Sequence, residues 1–288
     1  MRTQELAPAK INLALDILGR RADGYHELRM VMQTVSLCDV ITVEEGGTGF
    51  TLLTGEAFSL PADKVSMEQR AADAFFAALG VPVPPLTVRL EKNIPAFAGL
   101  GGGSADVAAL LRCLRRLYAA GMPDEALRAI GLTVGSDVPF CVSGGTSLAE
   151  GRGERLTDLP PLPVCQIVLC KPDFGISTPE LFVLADGAVL SKRPDIAGLT
   201  AALQGGELTG VTDRLCNVFE EFLPERDREV FRIKEILLAH GALNAAMSGS
   251  GPTVYGIFES AAEAQRAAEV LKKSYQQTYV AKPVKKLV

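Results

Sequence analysis

Ile94–Leu111 reads IPAFAGLGGGSADVAALL and places four glycines within the five positions from Gly99 to Gly103. Without a Cβ, successive glycines can take positive φ and let backbone N–H groups converge on one anion. Ser104 follows as a residue of the N-cap type. After it Val107, Leu110, Leu111, Leu114, Leu117 and Tyr118 recur at helical spacing, with Arg112, Arg115 and Arg116 displaced to the other face. The tract therefore opens a helix, whose unpaired donors and positive dipole end favour a phosphate. The alternating run Leu86-Thr-Val-Arg-Leu90 leads into it, so the segment reads as strand, loop and helix rather than as a flexible linker.

Two familiar glycine motifs do not fit. A Walker A loop needs a Lys after its last Gly, whereas Gly103 is followed by Ser104 and Ala105. The dinucleotide GxGxxG spacing fails too, since Gly99 and Gly101 are followed by Ser104 where a third Gly should stand.

A chain of 288 residues is long enough for two domains, and the prolines between Leu156 and Pro163 suggest the boundary, giving 1–158 and 159–288. With 48% hydrophobic and 22% charged residues the composition is that of an ordinary globular protein. Lys10 and Asp16 interrupt the one N-terminal apolar run, which argues against a leader or anchor and makes the cytoplasm the expected location. Six scattered cysteines without a CxxC pair, and two histidines, suggest reduced thiols rather than a zinc site or a disulfide framework. A net charge of −5 offers no attraction for nucleic acid.

From Ala9 to Ile17 the sequence alternates, with Ile11, Leu13, Leu15 and Ile17 on one face and Lys10, Asn12, Ala14 and Asp16 on the other. Lys10 and Asn12 would then point together beyond the sheet. Asp23-Gly24 signals a hairpin, placing Tyr25 and His26 side by side at its exit before a run through Leu28, Met30 and Met32. A strand near Phe50–Leu53, a turn about Pro61 and a helix over Met67–Leu79 follow. Helices are also expected from Asp124 to Ile130, from Thr178 as cap with Pro179 in the first turn, and over 217–222, 230–240 and 261–275. Strands are expected at 146–149, 164–169, 254–258 and 279–284, while 131–140 breaks the helical period and 190–206 is turn-rich. Asp137 stands among Val138, Pro139 and Phe140, and a carboxylate in that setting must be paired or functional. Ala245–Thr253 is a second glycine loop. Strands and helices without a regular βαβ repeat make the class α+β in two parts.

Five blocks in order, Ala7-Pro-Ala-Lys-Ile-Asn-Leu13, Asp23-Gly-Tyr-His26, Gly99-Leu-Gly-Gly-Gly-Ser104, Gly135-Ser-Asp-Val-Pro-Phe140 and Met247-Ser-Gly-Ser-Gly-Pro-Thr253, resemble those of the GHMP kinases. The resemblance implies a ribosomal-protein-S5-like N-terminal domain, a ferredoxin-like C-terminal domain and an active site between them. It also implies ATP- and Mg²⁺-dependent phosphorylation of a hydroxyl on a cytidine-diphosphate-linked methylerythritol (CDP-methylerythritol), in the non-mevalonate route to isoprenoid precursors. Lys10 and Asp137 match the family's catalytic pair. Pro95, Ala96, Phe97, Ala98, Gly99, Leu100, Gly101, Gly102, Gly103, Ser104 and Ala105 match its ATP-phosphate loop, with the Ser104 hydroxyl toward Mg²⁺. Asp137 would orient the acceptor hydroxyl and take its proton, with Lys10 offsetting the growing negative charge. The resemblance further gives Tyr25 and Phe182 the role of stacking on cytosine from two sides, His26 that of reading its edge, and Asn12 and Thr178 that of holding the sugar alcohol.

The chain departs from the family pattern twice. Val65-Ser66 stands where an Asn-Leu pair is usual, and Val183 where some relatives carry a cation. A sister kinase acting on homoserine or mevalonate phosphate would have no use for Tyr25-His26, and a nucleotide sensor or RNA-binding module would not need both Lys10 and Asp137. The expected assembly is a monomer or homodimer.

Overall fold

The computed structural model describes residues 1–55, 65–186, 188 and 190–287, so the turn expected about Pro61 lies outside the described residues. In chain order the elements are β1 (Arg2–Arg20), β2 (His26–Glu45), β3 (Phe50–Thr54), α1 (Met67–Leu79), β4 (Leu86–Glu91), α2 (Gly102–Tyr118), α3 (Asp124–Leu132), α4 (Val138–Ser143), β5 (Thr146–Gly151) and β6 (Arg155–Asp158). They continue with β7 (Gln166–Lys171), α5 (Thr178–Asp186), α6 (Ile196–Gly205), α7 (Leu208–Thr212), β8 (Cys216–Asn217), α8 (Glu229–Ala239), β9 (Asn244–Met247), β10 (Val254–Phe258), α9 (Ala261–Lys272) and β11 (Gln277–Ala281).

One sheet runs β3-β4-β2-β1-β8, with β5 and β6 continuing from β2; the other is antiparallel in the order β11-β7-β10-β9. The long hairpin β1–β2 is the spine of the first, since β2 pairs with β5 over Leu28–Gln33 and with β4 over Val40–Glu45. Register shifts between Pro8 and Lys10 and between Asn12 and Ala14 bracket the two polar residues of β1. Such bulges bend a strand and re-aim its side chains. The expected polar edge of β1 is corrected here: every residue from Ala7 to Ile17 is buried. Helix α2 packs on this hairpin, while Cys216–Asn217 lies parallel to Ala14–Leu15 and the Tyr255 hydroxyl donates to the Asn12 carbonyl at 2.8 Å.

Helix α2 buries Val107, Leu110, Leu111 and Leu114, each contributing about 1.5–3 kcal/mol. Arg112 departs from its expected polar face. It is 4% exposed, and its guanidinium donates to the Leu6 carbonyl (2.7 Å) and the Cys141 carbonyl (2.8 Å), tying β1 to α4. Ser104 is not the N-cap. Gly101, in the left-handed region at φ 68°, turns the chain three residues earlier, and the Ala105 N–H closes the first turn on the Gly101 carbonyl at 2.9 Å. Part of the expected irregular run at 131–140 is helical: α4 begins after Asp137 with Pro139 in its first turn, where proline is tolerated. The stretch read as turn-rich at 190–206 contains α6, capped by Asp195 Oδ1 accepting from the Gly198 N–H (2.9 Å). Its glycines and Pro194 masked the period. The cap of α5 is Ser177 rather than Thr178, its carbonyl accepting from the Leu181 N–H at 3.1 Å. Helices α8 and α9 cover the second sheet. The C-terminal tail returns to the first sheet, where the Val284 N–H donates to the Thr34 carbonyl at 2.9 Å. Among the described residues no helix is long and apolar enough to cross a membrane.

Candidate active site

Two glycine loops from distant parts of the chain meet over the middle of β1. The Lys10 N–H donates to the Leu100 carbonyl at 2.9 Å, so the first loop is pinned to the strand beneath it. Ser248 Oγ donates to the Gly99 carbonyl (2.9 Å) and the Thr253 N–H to the Ala98 carbonyl (3.3 Å), which joins the second loop to the first. The approach requires glycine: a Cβ on Gly99, at φ +74°, would stand 2.1 Å from the Ser248 carbonyl oxygen. Asn217 braces the second loop from β8, its Nδ2 donating to the Met247 and Gly249 carbonyls at 2.8 Å each.

A cavity of about 610 Å³ opens beside this joint. The loop from Pro95 to Ser104 forms one wall, Met67 and Glu68 of α1 another, and Ile176, Thr178, Ser250 and Gly251 face them. Ala105 lies buried behind the loop. Phe97 takes φ 51° and is 85% exposed, a left-handed conformation that costs a non-glycine residue about 1–2 kcal/mol. Thr178 Oγ1 and Ser250 Oγ lie 2.6 Å apart across the facing wall.

Beneath the loop, Lys10 Nζ donates to Asn12 Oδ1 at 2.8 Å and lies 3.4 Å from Asp137 Oδ2. The Lys10 side chain is 6% exposed and that of Asp137 28%, so the lysine is enclosed while the carboxylate reaches open space. Although Asp137 occupies a cap position, its side chain makes no capping bond. The second loop presses on the same lysine, since a Cβ on Gly249 would stand 3.2 Å from Lys10 Nζ. Lys10, Asn12, Asp137 and both glycine loops thus converge.

The aromatic residues form a second cluster. His26 stacks on Phe182 with ring centroids 4.4 Å apart at 14°, and His26 Nε2 lies 2.6 Å from Asp186 Oδ1. Tyr25 is exposed and lies under the Arg152 guanidinium, 4.7 Å from its ring centroid. His26 rather than Tyr25 therefore faces Phe182, because the Asp186 contact draws its ring onto α5.

Sequence reasoning missed a buried charge cluster at the loop entrance. Lys92 joins the carboxylates of Asp39 and Asp106, with Asp106 Oδ2 at 2.6 Å, and Asp39 Oδ1 also accepts from the Asn93 and Ile94 N–H groups. Burial pushes the Asp106 carboxyl up to about 8, with the neighbouring Asp39 charge adding to the effect against the pull of Lys92. Burial lowers Lys92, but the two carboxylates outweigh it and hold the ammonium above its ordinary value. The signal in the sequence was Asp106 on an otherwise apolar helix face. Ser66 is spent on structure, its Oγ capping α1 by accepting from the Gln69 N–H at 2.9 Å.

Residues 67–145 match the model of the GHMP kinases N-terminal domain and residues 201–277 that of the GHMP kinases C-terminal domain. The 4-diphosphocytidyl-2-C-methyl-D-erythritol kinase of Caldicellulosiruptor bescii is 39% identical over 266 residues, covering 92% of this chain and 93% of its own. The enzyme of the same name from Clostridium perfringens is 40% identical over 270 residues, covering 94% and 93%. The chain belongs to the GHMP kinase family. A crystal structure of 4-(cytidine 5'-diphospho)-2C-methyl-D-erythritol kinase superposes on this kinase with a TM-score of 0.82 and 33% identity, over 98% of this chain and 99% of that one. Homoserine kinase from Cytophaga hutchinsonii, at 19% identity and a TM-score of 0.74, shares the fold. The two-part α+β architecture of this kinase is thus that of its family, and family membership implies ATP as phosphoryl donor.

Proposed function

We propose that this kinase transfers the γ-phosphoryl group of ATP to the 2-hydroxyl of 4-(cytidine 5'-diphospho)-2-C-methyl-D-erythritol, in the non-mevalonate route to isoprenoid precursors. The observation that carries the reading is the 3.4 Å approach of Lys10 to Asp137 beneath two interlocked glycine loops. The relatives of that name, matched over nearly the whole chain, support the choice of acceptor.

Phosphoryl transfer has a loose transition state, so positioning and charge stabilisation supply most of the acceleration. The loop N–H groups and the start of α2 bind the ATP phosphates. Asp137 Oδ2 accepts the proton of the attacking hydroxyl, while Lys10, held by Asn12, offsets the negative charge that grows between acceptor and phosphoryl group. The Ser104 hydroxyl and the Glu68 carboxylate border the cavity and suit Mg²⁺, which takes one or two protein oxygens together with phosphate oxygens. Bound there, Mg²⁺ would neutralise phosphate charge. Thr178 and Asn12 hold the polyol, and Tyr25, His26 and Phe182 the base. A division at 158/159 is supported by β1–β6 preceding it and all four strands of the second sheet following, with the two-residue β8 crossing back to the first sheet. A cytoplasmic monomer or homodimer acting on a small molecule, without nucleic acid, completes the proposal.

Incubation with ATP, Mg²⁺ and a panel of CDP-linked and free polyols, homoserine and mevalonate tests it through ADP release. ADP with the CDP-linked methylerythritol alone is expected. Release with homoserine or mevalonate, and none with the CDP-linked compound, would refute it.

A further inference from the structure

The turn between β5 and β6 borders both ends of the acceptor site. A Cβ on Gly153 would stand 3.7 Å from Asp137 Oδ1 and 3.4 Å from the Met30 methyl, and Met30 Sδ accepts from Asn12 Nδ2 at 3.4 Å. The preceding residue, Arg152, rests its guanidinium on the Tyr25 ring. Glu154 Oε2 accepts from the Arg152 N–H at 2.6 Å and folds the turn. Other cations of this neighbourhood are matched with carboxylates: Arg20 with Asp186, Arg21 with Asp23 and Glu27, Arg29 with Glu150, and Arg155 with Glu27. Among the described residues no carboxylate stands within 4.0 Å of the Arg152 guanidinium; Asp23 feels its charge from farther away. Among the described residues the guanidinium of Arg152 is thus matched with the aromatic face read as the base platform rather than with a carboxylate.

A cation–π contact at a partly exposed position is weak. A planar guanidinium exchanges it readily for two phosphate oxygens, which it binds as a fork. With a base at Tyr25 and the reacting hydroxyl at Asp137, the linking diphosphate must cross the span that the Arg152–Gly153 turn borders. On α5 the residue after Phe182 is Val183, which carries no charge for a phosphate.

We propose that Arg152 binds the diphosphate of the acceptor, releasing the Tyr25 ring to the base. The proposal rests on the nucleoside-diphosphate-linked acceptor read above and names the side chain that distinguishes it from a bare nucleoside.

Calorimetric titration of the whole protein with cytidine, CDP and ATP tests it. The wild type should bind CDP at least about tenfold more tightly than cytidine. Arg152→Gln should weaken CDP about tenfold or more and cytidine less than twofold, as the loss of a charge-assisted bond pair requires. Its ATP affinity should match the wild type, which verifies the fold, and Arg152→Lys should retain part of the preference for CDP. Equal weakening of cytidine and CDP by Arg152→Gln would overturn the proposal, since the residue would then only brace Tyr25. Unchanged affinity for both would overturn it as well. A wild type that binds neither cytidine nor CDP would overturn the acceptor reading itself, and this proposal with it.

Discussion

Gly99→Ala tests whether the joint between the two glycine loops sets the geometry of transfer. The added Cβ would meet the Ser248 carbonyl oxygen at 2.1 Å, the Gly251 nitrogen at 3.0 Å and the Gly251 carbonyl oxygen at 3.1 Å. Contacts under 3.0 Å are not tolerated, and the opposing atom is backbone, so the loops must part by about 1 Å. That shift strains the Ser248 and Thr253 bonds to the first loop and moves Gly249 relative to the nearby Lys10 ammonium. Alanine at φ +74° adds about 1–2 kcal/mol of backbone strain. This is small against the roughly 5–15 kcal/mol of a folded domain, so the variant should fold. A displacement of ~1 Å at a reacting centre lowers the rate about 100-fold, or about 2.7 kcal/mol of transition-state stabilisation. Steady-state ADP release should show kcat reduced about 100-fold, with a melting temperature only a few degrees lower. Gly121→Ala serves as the control, because a Cβ there meets nothing within 4 Å. A Gly99→Ala enzyme within threefold of wild-type kcat would refute the reasoning.

Asp137→Asn should lower single-turnover phosphorylation by about 100- to 10,000-fold while leaving ATP affinity unchanged; near-normal transfer would remove Asp137 from its role as base. Asp106 carries a pH signature. Burial pushes its folded carboxyl up to about 8, above its unfolded value, so the folded state holds the extra proton and the contribution of this group to stability, complete below about pH 4, is lost as pH rises to about 8. Asp106→Asn lacks that proton, so its stability relative to wild type should improve between pH 5 and pH 8 in urea unfolding; a constant difference would contradict the assignment. Arg112→Ala should strand the Leu6 and Cys141 carbonyls and cost about 3–5 kcal/mol, read as a melting temperature lower by about 6–20 °C.

Much of the candidate site was legible because its residues sit in short contiguous blocks. The glycine tract, the Lys10-Asn12 pair two residues apart on a strand, and the Asp137 carboxylate among apolar neighbours each announce themselves through local geometry. The start of α2 was misplaced because Gly102 and Gly103 are poor helix formers, and only the left-handed Gly101 decides where the helix opens. Arg112 was read as solvated, since nothing local reveals that two carbonyls from β1 and α4 wait for its guanidinium. Lys92 was missed for the same reason, its carboxylates lying 53 and 14 positions away along the chain.

By itself the amino-acid order determined most of the kinds of element, the glycine-rich loop and the identity of the polar groups, because propensity, period and missing Cβ atoms act over a few neighbouring residues. Tertiary structure alone decided that Ser248 closes on Gly99, that Lys10 comes within 3.4 Å of Asp137 and that Arg152 rests on Tyr25. Those outcomes depend on how bulged strands and two sheets pack together. Contacts between groups more than a hundred residues apart leave no trace in local pattern.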